Sequence, residues 1–228
     1  MFLTQISKEK SSLFSVDYKE KSLSGPILND FLTFEVFNSR LFWLDGAGFL
    51  RQSDLSGNEI GLLSRAPFYL NNISQLELII FSENKIFLKT KEEFYFLNQE
   101  KQSLEKISGG IKEVKISPDS KKIVYFTDHE IWLLFLEKVE DQPQREKGEK
   151  IFLARFSEKI GDVFWWTSHY LLFSLGNRVK ITEIDDRDKI NIYNLAEFES
   201  PEIFWNQYDK KLYVLSKEEI LTSERLIP

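Results

Sequence analysis

Side chains able to do chemistry are few in this sequence. Two histidines occur among 228 residues, His129 in Asp128-His129-Glu130 and His169 in Ser168-His169-Tyr170, and there is no cysteine. The lack of cysteine excludes a disulfide framework, a thiol nucleophile and a thiolate-ligated metal. A metal site built on either histidine needs further convergent ligands, and both histidines sit in or beside turn-like segments where polar residues are ordinary. The nucleophile-elbow pattern G-x-S-x-G does not occur. Asp186-Arg187-Asp188-Lys189-Ile190-Asn191 has some of the acidic spacing of a calcium loop, but neither the turn glycine nor the distal bidentate glutamate, and reads as a solvated hairpin. Gly46-Ala47-Gly48 lacks the third glycine of a dinucleotide fingerprint and is flanked by strand-like runs, so it reads as a turn. Trp165-Trp166 and Trp205 have faces that stack on sugar rings, yet they fall in apolar runs, where core packing is the expectation. Asn72-Ile73-Ser74 matches the glycosylation acceptor pattern, which is common by chance. No catalytic residue, metal ligand or cofactor site is expected.

Composition narrows the class further. With 42% hydrophobic and 29% charged residues the chain is globular, and a protein of this length buries roughly 70–75% of the surface exposed by its unfolded chain. Aromatic content is 14%, with 20 Phe, a composition suited to pleated, buried strands. Thirty Lys and Arg against 36 Asp and Glu give a net charge of −6, the wrong sign for neutralising phosphates, so nucleic acid is not an expected partner. The first residues, MFLTQISKEKSS, lack the apolar stretch of a signal peptide, and the apolar run from Ile131 to Leu136 is far too short to span a bilayer. Direct membrane insertion is not expected.

The elements that position these residues repeat along the chain. Five short apolar runs follow a turn: RLFWLD from Arg40, KIFLKT from Lys85, KIVYFT from Lys122, YLLFSL from Tyr170 and KLYVLS from Lys211. Nine residues beyond each opening residue stands an apolar residue of a second run: Phe49, Phe94, Ile131, Val179 and Ile220. A strand of six residues followed by a tight turn takes up that spacing, so each pair is a β-hairpin. The turns are Asp45 to Gly48, Thr90 to Glu92, Asp128-His129, Gly176-Asn177 and Ser216 to Glu218. A strand-like run precedes each hairpin (FLTFEVF, LELIIF, KEVKIS, DVFWWT and EIFWNQ), and a more polar one follows most of them (EIGLLS, SLEKIS, KIFLARF and KINIYNL). The unit is four antiparallel strands. Hairpins start at 40, 85, 122, 170 and 211, intervals of 45, 37, 48 and 41 residues, and a period of about 40–45 with four strands is that of propeller blades.

Inner runs such as LIIF and YLLF are apolar on both parities, as strands buried on both faces must be. The expected fold is therefore all-β, a β-propeller of five or six four-stranded antiparallel blades forming one domain over residues 1–228; the alternative is a two-sheet β-sandwich. The ends fit least well. Residues 2–24 read as two or three strands without a first, and the unit from Glu202 has three strands without a fourth. Either the N-terminal strands complete the last sheet, the preferred expectation, or the chain is a piece of a longer propeller.

One unit carries a signature. Ser117-Pro118-Asp119-Ser120-Lys121-Lys122-Ile123-Val124-Tyr125, followed by Glu130-Ile131-Trp132, resembles the S-P-D-G-K-x-I-A-Y turn and strand of TolB-type, WD-like bacterial propeller repeats, with Ser120 in place of the glycine; Asn206 to Tyr213 is a weaker echo. The resemblance implies a bacterial propeller that acts as an interaction platform, of a kind found in cell-envelope proteins, some with PEGA modules. It implies an extracytoplasmic setting and no catalytic residue. The expected function is a non-enzymatic scaffold that binds a protein or peptide partner; the alternatives are a propeller hydrolase or lyase with its site in a central channel, and a structural spacer. The longest interruption of the repeat, KVEDQPQREKGE from Lys138 to Glu149, is charged and reads as an exposed excursion. Its Glu140, Asp141, Gln144 and Arg145 are the candidate partner contacts. A circular dichroism spectrum dominated by β structure is the expected outcome for this chain, and a dominant helical signal would overturn the fold.

Overall fold

The computed structural model describes residues 2–6, 11–69, 75–91 and 93–226; Asn72-Ile73-Ser74 lies outside them. The chain falls into two compact units, Met1–Gly109 and Gly110–Pro228. In the first, β1 (Phe2–Ile6), β2 (Ser11–Asp17) and β3 (Ser22–Asn29) form a three-stranded sheet. Next come two four-stranded sheets, β4 (Phe31–Phe37), β5 (Arg40–Asp45), β6 (Leu50–Asp54) and β7 (Gly61–Leu62), then β8 (Glu77–Ser82), β9 (Lys85–Lys89), β10 (Glu93–Asn98) and β11 (Ser103–Gly109). The second unit holds β12 (Glu113–Ile116), β13 (Lys122–Phe126), β14 (Glu130–Phe135) and β15 (Lys150–Arg155), then β16 (Ile160–Trp165), β17 (Tyr170–Leu175), β18 (Arg178–Glu183) and β19 (Ile192–Glu197). It ends in a three-stranded sheet of β20 (Glu202–Asn206), β21 (Lys211–Ser216) and β22 (Glu219–Thr222). Within each sheet, strands consecutive in sequence pair antiparallel, and no helix of the described residues is long and apolar enough to cross a membrane.

The nine-residue spacing is a register. Counting from the first residue of each hairpin, the fifth faces the tenth in four of them: Lys89 with Phe94, Phe126 with Ile131, Ser174 with Val179 and Leu215 with Ile220. The β5–β6 hairpin has one residue more in its turn, so Leu44 faces Leu50, and Phe49 falls outside the strand. Its turn needs glycine at Gly48, where φ is +87° and a Cβ would lie 2.4 Å from the Phe68 carbonyl oxygen. The outer strands depart from expectation. EIGLLS contracts to the two residues of β7, because the Leu63 and Ser64 N–H groups both turn onto the Leu50 carbonyl (2.8 and 3.3 Å). KINIYNL starts its strand three residues late, at Ile192, because Asn191 is held in the preceding loop by Glu183 and Thr182.

Burial on both faces is realised in the middle sheet of each unit. Leu41 and Trp43 of β5 pack with Leu13 and Leu28 of the first sheet, while Phe42 and Leu44 on its other face pack with Leu78, Ile86 and Leu88 of the third. In the second unit, Leu171 and Phe173 of β17 pack with Val124, Ile131 and Leu153, and Leu172 faces Ile203, Trp205 and Val214. A two-sheet sandwich leaves one face of each sheet to water, so the sandwich alternative is excluded. The preferred expectation for the N-terminal strands is corrected too. β1–β3 pair with one another as a sheet of their own, because Leu13 and Leu28 have core partners in the adjacent sheet and the β3–β4 corner is tied to Ser11 by the Asp30 and Phe31 N–H groups (both 2.8 Å). The described residues form six sheets.

Within the third sheet, Phe87 is fully buried and stacked on Phe94, with centroids 5.2 Å apart and rings inclined by 7°. Phe87→Ala is expected to lower unfolding stability in urea by about 3–5 kcal/mol, whereas Tyr208→Ala, at a side chain 98% exposed, is expected to stay within about 0.5 kcal/mol of the parent.

A candidate binding cleft beneath the 138–149 loop

Antiparallel meanders send alternate connections to the same end of a sheet. In the second unit the β12–β13, β14–β15, β16–β17 and β18–β19 connections lie together and enclose a cleft of about 460 Å³. The β14–β15 connection, residues 138–149, forms one wall. Its base is fixed by Phe135, whose N–H donates to the Glu149 carbonyl (2.9 Å) and whose carbonyl accepts from Gly148 N–H (2.7 Å). Val139 and Arg145 exchange backbone hydrogen bonds of 2.9 and 3.0 Å and fold the tip into a small hairpin. The Arg145 side chain, 14% exposed, donates from Nη1 to Glu149 Oε1 (2.8 Å) and from Nη2 to Asp186 in the β18–β19 connection. It also lies over the Phe135 ring. One cation thus ties the loop of one sheet to the loop of the next, with its own Nε buried and without an acceptor among the described residues.

The Ser117–Lys122 turn supplies the floor. Ser120 adopts φ +58°, the conformation for which the resembling repeats use glycine, and its N–H donates to the Ser117 carbonyl (2.8 Å). Asp119 accepts hydrogen bonds from Lys121 N–H (3.1 Å) and Lys122 Nζ (2.6 Å), and its own N–H reaches the Ser168 hydroxyl of the β16–β17 connection (3.1 Å). Lys122 is buried, its ammonium 5.7 Å from the centre of the Trp165 ring. Burial pushes the Asp119 carboxyl up, but hydrogen bonds from Lys122, Ser117 and the Lys121 N–H outweigh it, and the group is held below its ordinary 3.8. Across the cleft the Arg187 guanidinium and N–H hold Asp185 down to about 2.

These acids are therefore fixed as anions in ion pairs, which suits anchoring rather than proton transfer. Lys121, Asp141, the His169 ring and the Tyr170 hydroxyl also line the cleft, and none has a side-chain hydrogen bond or ion pair among the described residues. They offer a cation, an anion, an imidazole and a phenol around apolar surface from Phe135, Val139, Pro143 and Ile184.

Of the four nominated contacts, Asp141 and Arg145 line the cleft; Glu140 and Gln144 are exposed outside it, Glu140 paired with Lys138 (2.9 Å). The loop is exposed only in part, since Val139, Pro143, Arg145 and Glu149 turn inward. His169 belongs to the cleft. His129 lies in the β13–β14 turn at the other end of the strands, its Nδ1 3.3 Å from the Glu158 carbonyl oxygen. Trp165 and Trp205 are core residues as expected, with Trp165 Nε1 donating to the Lys115 carbonyl (2.9 Å). Sequence reasoning missed Lys121, Tyr170 and Asp185; the only signal for them was their position in connections that a meander brings to one end.

No protein-family model matches the chain, and no curated protein does. Solved structures do. Hsv2 of Kluyveromyces lactis superposes with a TM-score of 0.56 at 12% identity, covering 100% of this chain and 70% of that one. The β-propeller domain of Cps50 (Swd1) from Myceliophteria thermophila gives 0.52 at 13%, covering 94% and 77%. The computationally designed protein Ika8 gives 0.54 at 10%, covering 97% and 70%. The likeness is one of fold: the chain is an all-β β-propeller, and its six sheets are blades.

Because the folded-state pKa of Asp119 lies below the unfolded value of 3.8, its ion pair stabilises above 3.8 and is lost as pH falls through the lower value. The melting temperature of the parent is expected to fall with acidification in that window, and Asp119→Asn to be less stable at neutral pH with a flatter acid limb. Parallel acid limbs for the two proteins would contradict this account of the turn.

Proposed function

We propose that the protein is a non-enzymatic binding scaffold and that the cleft beneath the 138–149 loop takes a segment of a protein or peptide partner. The observation that carries this reading is the lining: spare groups of both charge signs, Lys121 and Asp141, beside the exposed ring edge of Tyr170 and apolar surface from Phe135, Val139, Pro143 and Ile184, in a loop wall held by Arg145. Such a mixture matches a polypeptide, which presents carbonyls, N–H groups and side chains together, better than a single anion or cation. Binding without a chemical step is supported by Asp119 and Asp185, held ionised, and by the His169 ring, which has no hydroxyl or carboxylate within hydrogen-bond reach among the described residues. The resemblance of Ser117–Tyr125 to TolB-type repeats supports a bacterial cell-envelope setting.

A display library of random linear peptides selected against the 228-residue chain tests the reading. Enriched peptides are expected to lose affinity about tenfold on Tyr170→Ala and on the paired change Lys121→Glu with Asp141→Lys. Enriched peptides indifferent to both changes would sink the assignment of the cleft.

A further inference from the structure

In four of the six sheets the third strand opens on a charge; β3 and β6 open on Ser22 and Leu50. β10 begins with Glu93 and β14 with Glu130, each eight residues after the start of its hairpin. Each is paired to a base on the fourth strand beside it, Glu93 to Lys106 of β11 (2.5 Å) and Glu130 to Arg155 of β15 (2.8 Å). β18 opens instead on Arg178, which stands opposite Glu197 of β19 in register but pairs with Glu158 of the β15–β16 connection (2.6 Å). β22 opens on Glu219 at the same position. No fourth strand lies beside it among the described residues, and its carboxylate has no partner among them.

The backbone repeats the pattern. Ser223 N–H donates to the Leu212 carbonyl (2.9 Å), which fixes the alternation along β22: Glu219 and Leu221 face β21, while the N–H and C=O of Ile220 and Thr222 point to the open edge. Their counterparts in β14, Ile131 and Leu133, stand opposite Ala154 and Ile151 of β15. Beside the edge is an apolar cavity of about 400 Å³, lined by Leu172, Leu195, Phe198, Leu221 and Trp166, whose indole N–H is buried without an acceptor among the described residues.

We propose that the edge of β22 is a second binding site, where a protein partner adds an extended strand antiparallel to β22, apolar at alternate positions and carrying lysine or arginine opposite Glu219. The template for the occupant is within the molecule: β15, with Ile151 and Leu153 buried and Arg155 opposite Glu130. Backbone hydrogen bonds supply affinity, the cavity takes an alternate side chain, and Glu219 sets register through the base. The cleft plays no part in this proposal.

The test titrates a fluorescent peptide of the β15 sequence against the whole chain by anisotropy, with amide exchange read in parallel. Saturable binding is expected, with exchange slowed at Ile220 and Thr222. Glu219→Lys, at an exposed position, should weaken binding about fivefold, and a peptide with glutamate in place of its arginine should recover affinity for that variant. Ile220→Pro removes an edge-facing N–H without touching the β21 ladder; binding should fall while the unfolding midpoint holds. Absent binding, or binding indifferent to Glu219→Lys, overturns the proposal. Protection of the same amides with concentration-dependent dimerisation and no peptide would give the edge to a second copy and overturn it equally.

Discussion

A sheet that is apolar on both faces has to be clamped between two others, and the rest of this structure follows from that requirement. Each large side chain removed from water contributes about 1.5–3 kcal/mol, and β5 carries four in succession, Leu41 to Leu44, two to each side. β17 does the same with Leu171, Leu172 and Phe173. Neither strand can be satisfied by one neighbour. β21 shows the contrasting case, since Leu212 and Val214 are buried while Leu215 on the other face is 40% exposed. Within the second unit the sheet of β20–β22 is clamped from one side, and Phe204 and Ile220 are left at 55% and 74% exposure.

Clamping fixes strands and leaves their connections free to vary. The intervals between hairpins differ because length is added at the rims, most of all in residues 138–149, while four of the five hairpins keep one register. The cleft is the outcome of this division. Strand ends brought to one rim by the meander hold the turns of Asp119, Ser168 and Asp186 at fixed separations, and the long loop is fastened across them by a single guanidinium. Two carboxylates around Arg145 more than neutralise it, so the loop is fixed without a surplus positive charge at the cleft.

The parts of the fold written in local sequence were legible. Strands β5, β9, β13, β17 and β21 stand where the repeat places them, because a turn and an apolar run are decided by residues within reach of one another. Phe49 misled because a one-residue longer turn around Gly48 displaces it from the strand, and spacing alone does not reveal turn type. Ile220 holds its register position yet is exposed, because burial depends on which sheet lies opposite, and no residue of β22 encodes that. The cleft was barely legible for the same reason: its walls come from four connections spread over residues 119–187. Length and charge drew attention to Asp141 and Arg145, while Lys121 and Tyr170 look in sequence like ordinary strand openers.

The pairing of sequence neighbours also bears on how the chain reaches its native state. Pairings join strands consecutive in sequence, so the closing loops are short and little chain entropy is lost before contacts are made. Topologies dominated by such near-neighbour contacts fold faster than β-sandwiches of similar size, whose partners are far apart in sequence. Each sheet is built from one local stretch, so it can assemble without waiting for distant parts of the chain and then be captured by the apolar faces beside it.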